Sequence, residues 1–514
     1  MRLAMLKKIS HTQLIWLLTL IASLIAWRVL AVERGNINDD VTLYFEAARL
    51  FTVGQWQQGF ALFSWPFYSL LIAGVNQVTS LHLTTCAQLL SIIFYAITCF
   101  SLSKIVQLAG GDKLTIIAVN ALVWSSLYIT GDVLGMLLRD VGFWAFFSSG
   151  IAAFILFQQT QLYRYALFWQ GLMLLAMLFR IEAIGFVVLL PLIIFWQKNT
   201  ALNLNISHYL QANTLLLVGA LGIFIAFTTG LLANFSSLGR LNEVNDLAFN
   251  GSQTFLAAFQ AKSNIMAKQV LGRYLEDYAN FSLIISLLGI VAYKTLLAAG
   301  LVPLILTSTR GKQAFALPNQ AVAKLLIWVA AIAFLNALII TFRSYVLSSR
   351  YVIAFGFLVI IFAAFAFANL YADYKNKQLK YKFYAAILLA ASLFIITASI
   401  KNIAPKPQSD FYEQDAIAWV TSQAKPNAKI YYDSSRLRYY AEAPWAGRQD
   451  VEKFDQLMIT LKNESVRYDY LLMRTKPSNI DKYNQIKQLV NYQVVKSFSN
   501  KSGNQIIILQ HVPQ

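Results

Sequence analysis

The sequence predicts a polytopic α-helical membrane protein that ends in a small soluble α/β domain. Composition is the first reason, because 58% of the 514 residues are hydrophobic, only 13% are charged and the mean hydropathy is +0.55. Average soluble domains carry about 25% charged residues. The second reason is a series of apolar runs of about 20 residues, the length that crosses roughly 30 Å of hydrocarbon. The third is an abrupt change in composition after Lys401.

The apolar runs of residues 1–400 predict eleven membrane spans. The basic start "MRLAMLKK" and the apolar run behind it are typical of an uncleaved signal anchor with a cytoplasmic N-terminus. The run at 62–79 contains Pro66 and is barely long enough to span, so it is predicted to lie in the membrane interface. The predicted spans are 13–32, 83–103, 114–130, 141–160, 165–179, 183–197, 213–233, 281–307, 323–341, 351–372 and 383–400.

The charge distribution predicts the orientation of these spans. Lys and Arg concentrate in the loops that this arrangement places in the cytoplasm, in agreement with the positive-inside rule. The predicted location is the bacterial cytoplasmic (inner) membrane, with the C-terminus in the periplasm. Cytoplasmic loops thus take up much of the net charge of +18, and we expect no nucleic-acid partner. The outer loops are then about 33–82, 131–141, 234–278 and 342–350.

The carboxylates favour an enzyme that works at the outer face. Residues 1–400 hold thirteen Asp and Glu, and eleven of them fall on the predicted outer side. A transporter would place ionisable groups at mid-membrane along its path, where each costs a few kcal/mol. With two cysteines and four scattered histidines, the sequence predicts neither a disulfide framework nor a Cys/His metal cluster.

The first outer loop contains adjacent carboxylates, Asp39 and Asp40, in "NINDDVTLYFEAARLF". The residues that follow have apolar positions at helical spacing and predict an amphipathic helix lying on the membrane. Either acid could simply cap that helix, where the helix dipole favours a carboxylate. The alternative is a general base or a metal ligand facing the outer side.

Further candidates come from the other outer segments. Asp140 and Arg139 could neutralise each other, or the acid could hold an acceptor or metal while the arginine faces a phosphate. Arg180 and Glu182 are predicted to form a structural pair. Lys294 either reaches the outer interface or meets an anionic headgroup, because an ammonium inside a span is costly. The mixed charges of 234–278 indicate a solvated surface helix or a lid.

Residues 401–514 are predicted to form the outer soluble domain, with residues 1–400 as the membrane domain. The segment contains 16 Lys or Arg and 11 Asp or Glu. "DFYEQDAIAWVTSQA" and 450–463 have helical patterns. Four segments are predicted as strands: "AKIYYD", "YDYLLMR", "YQVVKSFS" and "QIIILQHV".

Taken in order along the chain, these segments resemble the GT-C superfamily of polyprenyl-phosphate-sugar-dependent glycosyltransferases. The similar branch contains the protein O-mannosyltransferases and the aminoarabinose transferase of lipid A. No single motif is specific, but their order and loop placement together are. The segments are the acidic pair followed by "AARLF", then "WPFYSLL", "RDVGFWAFF", "FRIEAIGFVVLLPL", "SRYV" and "QDAIAWVTSQAKPNAKIYY".

The resemblance implies roles for individual residues. Asp40 stands four residues before Tyr44 and takes the position of the catalytic base, with Asp39 as the alternative if the register slips by one. Val41 replaces the usual Glu of the family pattern. The second catalytic acid falls on Asp140, or on Asp132. Ser64-Trp65-Pro66 stands where the lipid A enzymes often have Lys-Pro-Pro, so that lysine is missing. The predicted substrate-binding residues are Asp132, Arg139, Tyr44, Arg350, Arg343 and Lys294.

The implied reaction is an inverting transfer of a sugar from a polyprenyl (undecaprenyl) phosphate carrier to an extracytoplasmic acceptor, which could be a protein, lipid A or another glycan. One carboxylate takes the proton of the acceptor hydroxyl, and cations stabilise the departing phosphate. We expect no obligatory cofactor or metal, although Asp40 with Asp140 could hold a divalent cation. The alternatives are a transporter or flippase of a lipid-linked substrate, and a GT-C-like scaffold without catalysis.

Overall fold

The structure is a computed structural model that describes residues 9–196, 202–230, 251–445, 457–459, 461, 467–477, 484–485 and 491–512. The chain forms two compact units. The first comprises 1–30, 64–72 and 85–403, and the second comprises 31–63, 73–84 and 404–514. The predicted first outer loop thus belongs largely to the same unit as the C-terminal residues.

Helices dominate the residues that the structure describes up to Ile403. They are α1 (His11–Val32), α2 (Asp39–Thr52), α3 (Trp56–Leu62), α4 (Phe67–Thr79), α5 (Leu83–Leu108), α6 (Lys113–Trp124), α7 (Asp140–Thr160), α8 (Tyr163–Phe179), α9 (Ile184–Leu189), α10 (Leu202–Ala212), α11 (Thr214–Thr228), α12 (Gly251–Ile265), α13 (Ala279–Leu297), α14 (Leu301–Arg310), α15 (Gln320–Ser344), α16 (Ile353–Lys375) and α17 (Tyr381–Ile403).

A helix or bent helix pair lies at each of the eleven predicted span positions. Within the described residues, seven helices are long and apolar enough to cross a membrane: α1, α5, α7, α13, α15, α16 and α17, two of them together with the short turn before them. Two further positions are bent pairs, α6 with Leu127–Met136 and α10 with α11. The last two are shorter, α8 and the apolar segment Ile181–Trp196. The predicted fold class is confirmed.

The predicted span 114–130 is bent by 48° after Trp124. A helix end leaves carbonyl groups without partners, and inside a membrane the protein must supply them. Asn402 does so here, because its side-chain amide donates to the carbonyls of Trp124 (2.8 Å) and Ser126 (3.1 Å). The sequence showed an uninterrupted apolar run and gave no sign of this distant partner.

The predicted span 281–307 is two helices, α13 and α14, separated by Gly300. Gly300 has a φ of 91°, in the left-handed region that favours glycine. Lys294 therefore lies in the last turn of α13, where the helix dipole favours a cation. The carbonyl oxygen of Ala298 approaches Gly356 near the start of α16, since a Cβ at that glycine would lie 2.9 Å away from it. Lys294 of α13 is therefore near the N-terminal end of α16, the end that directly follows the predicted outer loop 342–350.

The run at 62–79 forms α4, whose 13 residues are too few to span. The loop predicted at 234–278 is described from residue 251, and Arg240, Glu243 and Asp246 lie outside the described residues. Its described part contains α12, where Phe255 packs near Phe342 with the ring centroids 6.3 Å apart.

The core of the first unit includes an aromatic cluster centred on Phe179, the last residue of α8. The rings of Phe67, Phe94 and Phe146 pack around it at centroid distances of 5.2, 5.3 and 5.6 Å. Gly142, in the first turn of α7, permits this packing, because a Cβ there would lie 2.1 Å from the Phe179 ring. The cluster fixes the chain immediately before Arg180.

Replacing Gly142 by alanine is expected to destabilise the first unit. The added methyl group must displace the Phe179 ring, and overpacking of this kind costs about 1–3 kcal/mol. Gly171→Ala in α8 is the matched control, because a Cβ there would meet nothing within 4 Å. The control is expected to be neutral or stabilising by up to about 1 kcal/mol. Thermal unfolding of both variants in detergent tests this, and equal midpoints would contradict it.

The C-terminal part of the second unit contains α18 (Tyr412–Gln423), β1 (Ile430–Tyr432), α19 (Ser435–Tyr440), β2 (Tyr470–Thr475), β3 (Tyr492–Ser499) and β4 (Gln505–His511). The strands form a four-stranded sheet in the order β1-β2-β4-β3. The strands β1 and β2 are parallel, and the other pairs are antiparallel. All four strands and the first helix were predicted, whereas the six-residue helix α19 was not. The helix predicted at 450–463 lies mostly outside the described residues; its described residues, 457–459 and 461, are helical.

Candidate active site

A buried cluster of charges lies at the start of α7 in the first unit. Asp140 is the first residue of that helix and is only 2% exposed. Its Oδ1 forms an ion pair with the Arg180 guanidinium, and its Oδ2 lies 3.7 Å from Nη1 of Arg350. Arginines from two other segments therefore compensate the acid of the second outer loop, which a buried carboxylate requires.

Arg180 is the centre of this cluster. Its side chain is 7% exposed, follows α8 directly and also contacts Glu182, with Nη2 3.3 Å from Oε1. The ring of Tyr351 covers the guanidinium at 4.2 Å from its centroid, a cation–π contact. The predicted pair of Arg180 and Glu182 is present, but Arg180 additionally binds Asp140.

The cluster brings together four of the sequence segments that carry the GT-C resemblance. "RDVGFWAFF" supplies Asp140, "FRIEAIGF" supplies Arg180, and "SRYV" supplies Arg350. "WPFYSLL" is anchored beside them, because the indole of Trp65 donates to the carbonyl of Met177 (3.1 Å). These segments are far apart in the sequence, and the fold places them in one region.

Arg350 is the more accessible of the two arginines that contact Asp140. Its side chain is 24% exposed, against 7% for Arg180. It lies in the turn Ser349–Val352 before α16, where Ser348 caps the backbone of Arg350. A partly exposed guanidinium held by a buried carboxylate is well suited to binding a phosphate oxygen.

The other predicted cations have different environments. Arg139 is half-buried and close enough to Glu182 to act on it electrostatically. Arg343 is exposed in the last turn of α15, and Lys294 is half-buried in the last turn of α13. Asp132 is exposed in the bent segment Leu127–Met136. Their roles in substrate binding stay predictions.

The second unit contains Asp39 and Asp40, the first two residues of α2. Neither acid is the N-cap, because Asn38 takes that position and its side chain accepts from the Asp40 backbone N–H. The two acids thus lie at the N-terminus of the predicted helix, as expected, but Asn38 and not an aspartate caps it. The helix dipole still favours both carboxylates in this first turn.

The two acids differ in their surroundings. The Asp39 side chain is 52% exposed and lies 3.2 Å from Nη1 of Arg474 and 3.6 Å from Nε of Arg436. Asp40 is half-buried and shares its side of α2 with Tyr44, one turn further on. Tyr44 is 4% exposed and packs against Phe63 at a centroid distance of 5.4 Å. Asp39 thus forms ion pairs with two arginines.

A buried ionic network behind Asp39 was not predicted from the sequence. Glu413, in the first turn of α18, is 4% exposed and pairs with Arg436 of α19. Burial acts to lower the pKa of Arg436, but Glu413 and Asp39 raise it by more, so the pKa lies above its usual value. The guanidinium therefore stays charged. Arg474 of β2 completes the network, with Nε 3.5 Å from Glu413.

Among the described residues, no three His, Cys, Asp or Glu side chains are grouped as ligands of a metal ion.

The fold matches solved structures of ArnT from Cupriavidus metallidurans. The crystal structure bound to undecaprenyl phosphate aligns with a TM-score of 0.53 and 10% sequence identity, over 97% of this chain and 99% of that one. The apo structure aligns over the same shares with a TM-score of 0.51. No model of a protein family and no curated protein matches the sequence. At this identity the likeness establishes a shared fold, and the predicted GT-C fold is confirmed.

Proposed function

We propose that this chain, which has the fold of ArnT, is an inverting glycosyltransferase that uses a sugar linked to a polyprenyl phosphate. The observation that carries the proposal is the fold match to a structure bound to undecaprenyl phosphate, over 97% of this chain. The charge cluster around Asp140 supports it, because segments with the GT-C pattern meet there. The acceptor is a hydroxyl group on an extracytoplasmic protein, lipid A or other glycan.

The proposed reaction needs one base. Asp40 takes the proton from the acceptor hydroxyl while that oxygen attacks C1 of the sugar from the face opposite the phosphate. The bond between C1 and the phosphate oxygen breaks, and its electron pair leaves with the polyprenyl phosphate. A positioned base contributes about 10²–10⁴ in rate.

The departing phosphate gains negative charge as the bond breaks. Arg350 is proposed to bind it, since its guanidinium is partly exposed and anchored by Asp140. Asp140 lies 3.7 Å from this arginine, and Arg180 in turn forms an ion pair with Asp140. Preorganised cations of this kind act where charge develops in the transition state.

The direct test is whether the purified protein releases polyprenyl phosphate from a sugar-linked donor in the presence of an acceptor. Arg350→Gln is expected to lower that release by about 10²–10³, the usual effect of removing one donor to a developing anion. Arg164→Gln is the matched control, because Arg164 is an exposed arginine in the first turn of α8. It is expected to retain full activity.

The other two functions predict different results in the same assay. A flippase would move the donor between leaflets of a vesicle without releasing polyprenyl phosphate. A scaffold would do neither, and its phenotype would survive removal of both Asp40 and Asp140. Failure of the wild-type protein to break the donor bond with any acceptor extract would overturn the proposed function.

A further inference from the structure

We infer that Arg436, Arg474 and Glu413 are positioning residues for Asp40, so that the C-terminal residues take part in catalysis by fixing the base. This inference rests on the proposed function. All residues that carry it belong to the second compact unit.

The network begins at a buried carboxylate. Glu413 is 4% exposed, accepts from Nη2 of Arg436 and from the Tyr412 hydroxyl (3.0 Å), and has Nε of Arg474 at 3.5 Å. Burying a carboxylate is costly unless partners surround it. The two arginines compensate this carboxylate, and they are carried by a helix, α19, and a strand, β2, which position side chains more precisely than loops do.

Both arginines extend from Glu413 to the start of α2. Nη1 of Arg474 contacts both oxygens of Asp39, at 3.3 and 3.2 Å. Arg436 lies 3.6 Å from Asp39 through Nε, and its Nη1 donates to the carbonyl of Ile37 (3.1 Å). One buried acid thus holds two cations, and the two cations hold the residues on either side of Asn38.

Further hydrogen bonds fix the same segment. The Tyr440 hydroxyl donates to the side chain of Asn36 (3.0 Å) and accepts from the backbone N–H of Ile37 (3.0 Å). The Thr42 hydroxyl donates to Ser435 at 3.1 Å. Residues 36–42 are therefore anchored before and after Asp40 by side chains from α19.

The anchoring has a consequence for the base. Asp40 follows Asp39 directly, and its backbone N–H is bound by Asn38 (3.0 Å), so its position depends on the anchored segment. A displacement of about 1 Å at a catalytic group can cost 10²-fold in rate. Asp39 is thus the anchored residue, and Asp40, the proposed base, follows it directly.

Arg474→Gln tests this inference. It is expected to lower kcat about tenfold, within the range for a misplaced group, while the KM for the donor stays within about twofold. Arg474→Lys should recover part of kcat, because it keeps the charge. Arg467→Gln is the matched control, since Arg467 is an exposed arginine just before β2 whose guanidinium contacts the His511 ring at 3.2 Å. The control is expected to have wild-type kcat.

A double-mutant cycle with Asp39→Asn separates positioning from general damage. If both residues act through their contact, kcat of the double variant falls by about as much as kcat of the more severe single variant. Independent losses that add, or an unchanged kcat in Arg474→Gln, would overturn the inference. Size-exclusion profiles confirm that each variant is folded.

A second readout needs no activity. Asp40→Cys can be labelled with a membrane-impermeant maleimide, and adding Arg474→Gln should change the labelling rate at least about threefold if the segment loses its anchor. An unchanged rate would contradict positioning even if the wild-type protein proved not to be a transferase. Conversely, a wild-type protein that releases no polyprenyl phosphate refutes the proposed function. The labelling rate would still report whether Arg474 fixes the position of residue 40.

Discussion

Asp40→Asn is expected to lower sugar transfer by about 10²–10⁴-fold, the contribution of a general base. Asparagine has nearly the shape of aspartate, but its amide cannot accept the proton of the acceptor hydroxyl. The change adds no volume in the half-buried first turn of α2, where the backbone is held by the Asn38 cap. We therefore expect normal membrane insertion and an unchanged KM for the donor. Release of polyprenyl phosphate by the purified variant is the measurement.

Asp39→Asn is the matched control, because it changes the neighbouring carboxylate in the same helical turn. It weakens the contacts with Arg474 and Arg436, and a loss of about tenfold is expected from positioning alone. Full activity in Asp40→Asn together with a larger loss in Asp39→Asn would reverse the assignment. That result would mean that the family register is shifted by one residue.

Much of the fold could be predicted because it depends on patterns within single segments. Apolar runs of about 20 residues predict spans, and alternation over a few residues predicts strands. The same patterns miss features set by distant partners. The bend after Trp124 depends on Asn402, and only Gly300 with the nearby Pro303 hinted that the run 281–307 is interrupted.

The candidate site was predicted only where residues are close in the chain. The sequence suggested pairs between neighbours, Arg139 with Asp140 and Arg180 with Glu182. In the structure Asp140 pairs with Arg180, 40 positions away, and with Arg350, which no local spacing reveals. The arginines that hold Asp39 lie in the soluble domain, in a short helix and a strand whose periodicity carries no sign of an ionic role. The family resemblance ranked Asp40 above Asp39, and that order stays a prediction.

Arg180→Met is expected to destabilise the protein by about 3–5 kcal/mol, the usual cost of removing one partner of a buried ion pair. Asp140, which is 2% exposed, would lose its ion pair with Arg180 and keep Arg350 at 3.7 Å, and Glu182 would lose the guanidinium at 3.3 Å. Methionine replaces much of the buried volume, so the loss comes mainly from uncompensated charge. The midpoint of thermal unfolding in detergent measures it. Arg164→Met is the control, because that arginine is exposed and its replacement is expected to cost less than about 0.5 kcal/mol.

The double variant Arg180→Met with Asp140→Leu distinguishes stability from function. Removing both charges of a buried pair is often neutral, so most of the lost stability should return. Activity should not return, because Arg350 would lose the carboxylate that orients its guanidinium toward the phosphate. A stable double variant with restored transfer would show that Asp140 and Arg180 serve only the fold. A double variant as unstable as Arg180→Met would show that Glu182 is the acid that depends most on this arginine.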